Sequence, residues 1–483
     1  MLKKHSSQYK FQMINLEDLV PEDHLLRKID KYIDFSFIEE LTYDLYSHET
    51  GRPALDPVVL FKMLFIGYLF GIRSERRLVQ EINVNLAYRW FIGFDLDEKI
   101  PDHSVFSQNR RRRFSQRPEL EQEIFDNIVE QAVKHGLITG HFLYTDSTHI
   151  KANANKGKFV AAEVEVSPME YLEQLHEETN QKREDLGKKA FEFEEKKETQ
   201  TIKQSTTDPD AGFMHREGKP KGFFYLDHRT VDGQHGLIVD SHVTAGNVND
   251  ARPYPSRIRR ILDRFGFDLW ATGIDAGYKH PYIAKFLKEL GVFGVSAYKR
   301  SPHHDKNLFY PSQYEYDKQN DFYVCPLGQF LTPRTVNRNG YIEYRCDPEI
   351  CQKCPMHGQC TKSKQKKIFR HVWQNDLDEM DSHRFDPKGK KIYERRKETV
   401  ERSFADSKEM HGLRYARFRG LARVRAQCLL VAACQNMKKI ALILAARWDA
   451  ELGDPSIFVR WVGRFTGVAK RLLKKWGLSL CFQ

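Results

Sequence analysis

The spacing of apolar residues predicts that the first fifth of the chain is helical. Between residues 15 and 94 apolar positions recur at helical intervals, and an apolar run begins at Pro57. Further along, apolar residues come every fourth position, at Leu78, Ile82, Leu86 and Trp90. This spacing places the four side chains on one helical face and predicts a single buried stripe. Both a helix-turn-helix and a plain helical bundle fit the pattern.

Short strand-like segments replace the helical pattern after residue 140. They are rich in β-branched and aromatic residues and are bounded by glycine and polar residues. The strands fall at 141–150, 222–226, 236–243, 268–274 and 292–297, with helical segments at 256–265 and 281–290. Strands that come first in a run and then alternate with helices predict a mixed α/β sheet covered by helices.

Three further segments complete the predicted secondary structure. Residues 161–200 are highly charged with almost no apolar core, which predicts a solvated helical excursion. A long helix is predicted at 387–411, and a very apolar one at 421–446.

The segment 322–370 is rich in cysteine, proline and glycine. It contains the pattern Cys351-x2-Cys354-x5-Cys360, preceded by Cys325-Pro-Leu-Gly and by Cys346. Thiols at this spacing are typical of a structural zinc site. Because four ligands suffice, we predict Zn²⁺ on Cys325, Cys351, Cys354 and Cys360, with Cys346 as the alternative. The remaining cysteines lie in apolar surroundings and are predicted core residues: Cys428, Cys434 and Cys481.

The charge of the chain indicates a partner rich in phosphate. Lys and Arg (77) exceed Asp and Glu (66) by 11, and the pI is about 9.0. Two basic clusters are candidate DNA contacts, one predicted to lie in a loop and one interleaved with aromatic residues. They are Arg110, Arg111, Arg112, Arg113 and Arg117, and Arg414, Arg417 and Arg419. A solvated face, or cations that cover apolar surface, would give the same patterns.

We expect no association with a membrane. The most apolar run, 58–72, is too short to span a bilayer and contains Lys62. The N-terminus has no apolar region behind its charges, so we expect a cytoplasmic protein whose cysteines are thiols or metal ligands.

Two aspartates stand out on the predicted sheet. Asp146 lies within the strand 141–150, where an ionised carboxylate is costly unless it is paired or bound to a metal. Asp275 follows the strand 268–274, at the end where ligands bind in open α/β sheets. Each also has a plain interpretation as a turn residue. The same interpretation suits four other aspartates: Asp227, Asp232, Asp240 and Asp250.

On the predicted helix 387–411, Glu401 is flanked by lysines. Lys397 precedes it by four residues and Lys408 follows it by seven, which places all three near one helical face. This suits a carboxylate that binds metal while its neighbours hold phosphate. An exposed helix with salt bridges would show the same spacing.

Three segments resemble the signature blocks of bacterial insertion-sequence transposases of the DDE type. They are Tyr144-Thr-Asp-Ser-Thr-His-Ile-Lys-Ala-Asn-Ala, Thr272-Gly-Ile-Asp-Ala-Gly-Tyr and Lys397-Glu-Thr-Val-Glu-Arg-Ser-Phe-Ala-Asp-Ser-Lys. Residues 15–113 are similar to the InsH-type N-terminal domain that precedes these blocks. The blocks stand in the family's order, and the resemblance covers nearly the whole chain.

The resemblance implies an RNase H-like core in which Asp146, Asp275 and Glu401 form one metal site. All-oxygen ligands select Mg²⁺ or Mn²⁺, and two such ions could activate water or a DNA 3′-hydroxyl. We prefer Glu401 to Glu398, since only Glu401 has a lysine seven residues later.

One departure from the family pattern concerns the supporting arginine. Relatives show Tyr-x2-Arg-x3-Glu-x6-Lys, whereas here four residues separate Arg396 from Glu401. Either Lys397 takes the arginine's place or the helix register differs. Arg396, Lys397 and Lys408 are therefore all candidates for a supporting or phosphate-binding role.

The family resemblance also implies a domain organisation. The predicted fold class is α/β, a mixed sheet flanked by helices, preceded by an all-α domain and interrupted by a small zinc-binding insertion. The parts are a helical DNA-binding domain (1–113), the first part of the core (114–300), the cysteine-rich β insertion (301–380), the second part of the core (381–447) and a basic tail (448–483).

The implied function is that of a transposase. It would bind the terminal inverted repeats of its element, cut the strands there and join the 3′ ends to target DNA. We expect a homodimer in the synaptic complex. We also expect a bacterial protein that is associated with the nucleoid in the cytoplasm. A catalytically inert repressor derived from such an enzyme is the alternative, and a hydrolase using a cysteine-bound zinc is a weaker one. Asp227→Asn and Asp250→Asn are expected to keep most activity and to serve as controls.

Overall fold

The computed structural model describes residues 15–47, 54–166, 171–193, 198–215, 221–298 and 308–452. Most of the predicted basic tail, including Cys481, lies outside these residues. The chain divides into two compact units. The helical unit comprises 1–137, 406–413 and 429–483, and the sheet unit comprises 138–405 and 414–428.

The N-terminal part of the helical unit is helical, as predicted. Helices α1 to α8 cover Leu16–Leu19, Leu25–Tyr32, Phe37–Thr42, Pro57–Leu69, Glu75–Val84, Leu86–Ile92, Ser104–Arg112 and Leu120–Lys134. Helix α4 begins where Pro57 takes the first helical position and the Asp56 side chain accepts a hydrogen bond from Val58 N. Most of its apolar residues are buried and form the centre of this unit's core.

The predicted single stripe from Leu78 to Trp90 is wrong in its second half. Leu78 and Ile82 are buried on α5, but the chain leaves the helical conformation at Asn85. The Asn85 side chain accepts a hydrogen bond from Tyr88 N and starts α6. This break changes which face is buried, so Leu86 is exposed. A polar residue that caps a new helix therefore overrides the four-residue spacing.

The sheet unit contains a mixed sheet of eight strands, which agrees with the predicted α/β class. Strands β1 to β8 cover Phe142–Lys151, Phe159–Val166, Glu198–Ser205, Gly212–Met214, Gly222–Asp232, Ile238–Ala245, Ala271–Ile274 and Phe293–Ser296. Helices α9 to α11 cover Leu172–Asp185, Tyr254–Phe265 and Pro281–Glu289. Strand β5 is buried along its whole length.

The pairing of five strands defines the centre of this sheet, in the order β6-β5-β1-β7-β8. β1 and β6 both run antiparallel to β5, whereas β7 runs parallel to β1 and β8 parallel to β7. The carboxyl ends of β1 and β7 therefore point to the same edge, where ligands bind in open sheets.

The segment 161–200 differs from the predicted solvated excursion. Its only helix among the described residues is α9. Strand β2 precedes this helix in the chain and β3 follows it, and the two strands pair antiparallel with each other. Helix α9 buries Leu175 and Thr179, and Lys182 Nζ lies 2.6 Å from Asp321 Oδ2 of the cysteine-rich segment. The high charge of this helix therefore serves partly in internal ion pairs.

The cysteine-rich segment forms a second, five-stranded antiparallel sheet in the order β13-β12-β11-β10-β9. Strands β9 to β13 cover Glu315–Asp317, Phe322–Val324, Phe330–Val336, Tyr341–Arg345 and Lys367–His371. Two short helices, α12 (Pro348–Gln352) and α13 (His357–Cys360), lie between β12 and β13. Its core contains tyrosines together with Cys346 and Cys351.

The predicted long helix 387–411 is divided. Helices α14 to α16 cover Gln374–His383, Pro387–Glu394 and Arg402–Glu409, and a single π-helical turn occupies Lys397–Glu401. Helix α17 (Leu421–Leu452) holds Cys428 and Cys434, both buried as predicted. By length and composition it could cross a membrane over Leu421–Trp448, but most of that stretch is buried in the protein, as is usual for a core helix.

Candidate active site

Asp146 and Asp275 lie side by side because of the parallel pairing of β1 with β7. Thr145 on β1 pairs with Ile274 on β7, and each of these two residues is followed by an aspartate. The side chain of Asp146 is 21% exposed and that of Asp275 is 49% exposed. One carboxylate is therefore largely enclosed by protein, and the other is open to solvent.

The guanidinium of Arg396 contacts both carboxylates. Its Nη2 atom lies 2.8 Å from Asp146 Oδ2, and Nη1 lies 3.7 Å from Asp275 Oδ1. Nη1 also donates a hydrogen bond to Tyr393 Oη at 3.1 Å, and the side chain is only 3% exposed. A buried cation thus balances two neighbouring anions.

Gly273 in the second signature block makes room for this arginine. A Cβ atom at this position would lie 3.3 Å from Arg396 Cγ and 2.9 Å from a ring carbon of Tyr144. Any larger residue would push against both side chains. The glycine that precedes Asp275 by two residues therefore has a packing role in the site.

Burial raises the pKa of Asp146 to about 6, while the Arg396 guanidinium acts in the opposite direction. Ser147 N donates a hydrogen bond to Asp146 Oδ1 at 2.8 Å, which also favours the ionised form. The charges of Asp275 and Asp250 disfavour it. Asp146 is thus a carboxylate whose charge the protein balances only in part.

Asp250 is a site residue that the sequence pattern did not distinguish from turn residues. Its Oδ1 atom accepts a hydrogen bond from Ser147 Oγ at 2.8 Å. The buried hydroxyl of Tyr278 has no hydrogen-bond partner among the described residues, and burial raises its pKa, with Asp250 and Asp146 adding to the effect. Because it lies beside Asp146, Asp250 is unsuitable as the inactive control that the sequence suggested.

The π-helical turn at Lys397–Glu401 accounts for the departure from the family spacing. Glu401 N donates to Arg396 O at 3.1 Å, a bond five residues back instead of four. Such a turn accommodates one extra residue in a helix, and π turns are frequent at functional sites. The structure places Arg396 beside the aspartates, whereas Lys397 is exposed. Lys397 therefore does not take the arginine's place, and the π turn changes the helix register between Arg396 and Glu401.

A buried ion pair anchors the residues that follow Glu401. Arg229 on β5 is paired with Asp227 at 2.7 Å, and both side chains are fully buried. Arg229 Nη1 donates to Ser403 Oγ at 2.8 Å, and the guanidinium lies 4.8 Å from the Phe404 ring centroid. This network fixes the first turn of α16 against β5.

The turn-residue interpretation is therefore wrong for two of the four other aspartates. Asp227 is a buried partner of Arg229, and Asp240 on β6 is paired with Arg257 at 2.6 Å. Asp232 does act at a turn, where it accepts from Gln234 N at 2.8 Å. The sequence pattern could not separate these roles, because it does not show which of these aspartates are buried with an arginine.

Glu401 is the candidate site residue that the structure does not gather with the aspartates. The π turn that carries it packs against β1 and β5, but its side chain is exposed. Across the described residues, no three His, Cys, Asp or Glu side chains are arranged as a metal-binding group. Lys408 lies at the end of α16, in the part of that helix that belongs to the helical unit.

Two segments of the chain match known protein families. Residues 14–112 match a family described as "Transposase domain (DUF772)", and residues 324–441 match one described as "Transposase DDE domain". The chain is a transposase of the DDE type. The predicted membership is confirmed, and the catalysed reaction is DNA cleavage and strand transfer. The second match includes Glu401 but neither Asp146 nor Asp275.

Solved structures give weaker likenesses to this transposase. A piggyBac transposase synaptic complex with hairpin DNA shares 10% identity, with 89% of this chain and 81% of that chain covered and a TM-score of 0.33. A Mos1 paired-end complex with the left transposon end shares 11% identity over 54% and 64% of the two chains, with a TM-score of 0.16. These scores are too low to establish a common fold. No protein of curated function matches the sequence.

The first basic cluster of the transposase is not a loop, because Arg110, Arg111 and Arg112 end helix α7. Arg110 is paired with Glu75 at 2.6 Å. Arg113 Nη1 donates to Asn109 Oδ1 at 2.7 Å, and Arg117 is paired with Glu123 at 2.8 Å. Arg111 and Arg112 are exposed, and within the described part of the chain their guanidinium groups have no partner. These two are the members of the cluster available to DNA.

The second basic cluster is mixed in the same way. Arg414 is exposed, Arg417 is partly buried, and Arg419 Nε donates to Asn153 O at 3.0 Å. The backbone around Arg414 pairs with Lys151 at the end of β1. Part of this cluster therefore serves to attach the chain to the sheet.

Four of the five clustered cysteines lie near one another in the transposase. Burial and a hydrogen bond with Cys351 raise the pKa of Cys346 to about 12, and Cys325 is close enough to add to the effect. Cys360 lies near Cys351 and Cys325, and its Sγ is 3.0 Å from Tyr314 Oη. Cys346, the alternative ligand of the predicted zinc set, thus lies near Cys351 and Cys325, although the thiols of the described residues are not arranged as a metal-binding group.

Proposed function

We propose that this transposase binds the terminal inverted repeats of its own element, cuts the DNA there with the help of a divalent cation, and joins the 3′ ends to target DNA. The observation that carries the proposal is the convergence of Asp146, on β1, and Asp275, directly after β7, on one guanidinium. Two element ends must be brought together, so a homodimer is the expected active assembly.

The strand arrangement supports an RNase H-like core. Three antiparallel strands, β6, β5 and β1, are followed by two parallel ones, β7 and β8, and the first aspartate lies on the central strand β1. In this arrangement the second aspartate follows the neighbouring parallel strand. Glu401 comes from a helical segment that packs against β1 and β5.

The donor set at this edge of the sheet fits Mg²⁺ or Mn²⁺. The guanidinium of Arg396 already lies between two carboxylates, so the position accepts positive charge, and all the acidic ligands are oxygen donors. Asp146 and Asp275 would hold the ion, and Glu401 would supply the third carboxylate. When bound, such an ion activates the attacking oxygen and stabilises the departing oxygen of a phosphodiester.

The chain's own residues prepare the site for this charge. Ser147 N–H orients one oxygen of Asp146, and Asp250 holds the hydroxyl of the same serine. Arg396 neutralises the two aspartates and is itself held by Tyr393. The π turn directs Arg396 inward and carries Glu401 one turn further along.

An inert DNA-binding repressor is the alternative function. A nicking assay on a supercoiled plasmid that carries the element's ends separates the two. The transposase is expected to nick the plasmid only when Mg²⁺ or Mn²⁺ is added. Binding without nicking at any metal concentration would favour the repressor.

The contact of the helical unit with DNA is assigned to Arg111 and Arg112. Replacing both by alanine should lower the slope of log K against log[salt] by about 0.9 per lost contact. Fluorescence anisotropy with a labelled duplex measures this slope. Arg110→Ala is the matched comparison, since its partner is Glu75. An unchanged slope in the double variant would mean that these arginines are a solvated face.

A structural Zn²⁺ on the cysteine-rich sheet would use Cys325, Cys346, Cys351 and Cys360. Cys346 is proposed as the fourth ligand because it lies near Cys351 and Cys325, and Cys354 is the competing fourth ligand. A closed site of four thiolates has no open position for catalysis, which argues against a zinc hydrolase.

Zinc content tests this ligand set. Purified transposase should contain one tightly held zinc, Cys346→Ser should lose it, and Cys354→Ser should retain it. Chelation should unfold the region 322–370 and leave the carboxylate site intact. Absence of zinc from the parent protein would refute the site, and zinc loss confined to Cys354→Ser would restore the original ligand set.

A further inference from the structure

We propose that the cysteine-rich sheet carries a DNA-contact site of its own, a basic pocket that holds phosphates of the DNA backbone. The proposal rests on the transposase function and adds a contact outside the carboxylate site. No role in cleavage is assigned to this pocket.

The pocket is lined by residues on and near β11 and β12, together with Lys188, which follows α9. It has a volume of about 530 Å³. Its lining includes Lys188, Arg334, Arg345, Thr335, Gln365 and Cys346. Cations, a hydroxyl and an amide are the groups that donate hydrogen bonds to phosphate oxygens.

A β-bulge places one of these cations. On β11, Pro333 pairs with Tyr344 and Thr335 pairs with Glu343, so Arg334 is an extra residue with no opposite partner on β12. Bulges redirect a side chain that regular pairing would send elsewhere, and they are frequent next to functional sites. The strand is thus interrupted at the residue that brings a free cation to the pocket.

The charges around the pocket leave a positive excess. Arg345 is bound by Glu343 through two contacts of 2.9 Å, and Lys367 also lies 2.9 Å from Glu343. One carboxylate therefore faces two cations. Lys188 and Arg334 are exposed, and within the described ranges neither side chain has a partner. These two carry the unbalanced charge available to an anion.

The lining favours a sugar-phosphate backbone over a base or a nucleotide. Of the described residues that line the pocket, none is aromatic, so there is no ring on which a base could stack. Ligand pockets for drug-sized molecules are mostly apolar, whereas most of the residues that line this pocket are charged or polar. Charge and hydrogen bonding without stacking are typical of backbone contacts.

The basic character extends beyond the pocket along the chain. Gln365 lies within the run Lys362-Ser-Lys-Gln-Lys-Lys, which ends at Lys367 on β13. Lys364 in this run is exposed. An extended track of cations matches a polyanion better than a single small anion.

Salt-dependent DNA binding by the full-length protein tests the proposal. The double variant Lys188→Ala with Arg334→Ala should lower the slope of log K against log[salt] by about 2, or about 1 per lost phosphate contact. Lys353→Ala is the matched control, since this lysine is exposed on the same sheet module and does not line the pocket. Thermal melting checks that each variant is folded.

The outcomes distinguish this proposal from the proposed function. If the parent protein binds no DNA, the function fails and the pocket fails with it. If the parent binds and the double variant shows the parent's slope, only the pocket proposal is overturned. If the double variant keeps DNA binding but loses stabilisation by inorganic phosphate in a thermal shift, the pocket holds a free anion and the proposal is also overturned.

Discussion

Asp146→Asn and Asp275→Asn should each lose strand cleavage by about 10³-fold or more, since several kcal/mol of stabilisation from a metal ion disappear with the carboxylate. Each substitution removes one charge and little volume, so the protein should fold and should still bind the element's ends. A nicking assay with Mg²⁺ measures the loss, and an anisotropy titration measures the retained binding.

The stability of Asp146→Asn has an expected direction as well. Burial raises the pKa of Asp146 to about 6, so above that pH the folded protein carries an unfavourable charge in metal-free buffer. This cost is largely present at neutral pH, shrinks as the pH falls below about 6, and disappears only near the ordinary aspartate pKa of 3.8. Asp146→Asn should therefore melt no lower than the parent at neutral pH, while loss of folding would favour a structural role for this aspartate.

Two further variants define the third carboxylate. Glu401→Gln should lose cleavage like the aspartate variants, and Glu398→Gln should not. Full activity in Glu401→Gln would overturn the assignment and move it to Glu398. Asp263→Asn is a suitable inert control, because this aspartate is exposed on α10.

Asp227→Asn should lower the free energy of unfolding by roughly 3 to 5 kcal/mol, because it leaves the buried Arg229 without its charge partner. Both side chains are fully buried, and Arg229 also holds Ser403, which follows the π turn at Lys397–Glu401. Urea unfolding followed by circular dichroism measures the change. DNA cleavage should also fall, since the contacts of Arg229 with Asp227 and Ser403 fix the residues after Glu401.

A second substitution separates the ion pair from general loss of packing. Replacing both Asp227 and Arg229 by residues without charge should restore part of the stability, because no buried charge is then left unpaired. Asp263→Asn, on the surface, should change stability by less than about 0.5 kcal/mol. An Asp227→Asn protein as stable as the parent would show that Arg229 does not depend on this partner.

The sequence predicted the strand that carries Asp146 and the strand that precedes Asp275, and the structure places the two aspartates side by side. Strand patterns are local signals, and they left each aspartate open as a ligand or a turn residue. The family resemblance, not the pattern, singled out Asp146 and Asp275. Local signals do not reveal which side chains meet in the folded protein. Asp227, Asp240 and Asp250 therefore passed as turn residues, although the first two are buried ion-pair partners and the third lies beside Asp146.

The π turn shows a second limit of sequence reasoning. Counting residues revealed one extra position between Arg396 and Glu401 but not how the helix would accommodate it. Either Arg396 or Lys397 could have reached the aspartates. The packing of the π turn against β1 and β5 determines that Arg396 does so. The break at Asn85 is a similar case, where a side-chain cap changed the face that the four-residue spacing predicted.

The position of bound Mn²⁺ tests whether Asp146, Asp275 and Glu401 form one metal site. Anomalous diffraction from crystals of the transposase soaked with Mn²⁺ locates the ion without reference to activity. We expect Mn²⁺ at about 2 Å from carboxylate oxygens of Asp146 and Asp275, with Glu401 turned towards it. Mn²⁺ bound elsewhere, with Arg396 still between the two aspartates at saturating metal, would show that these carboxylates do not form the metal site.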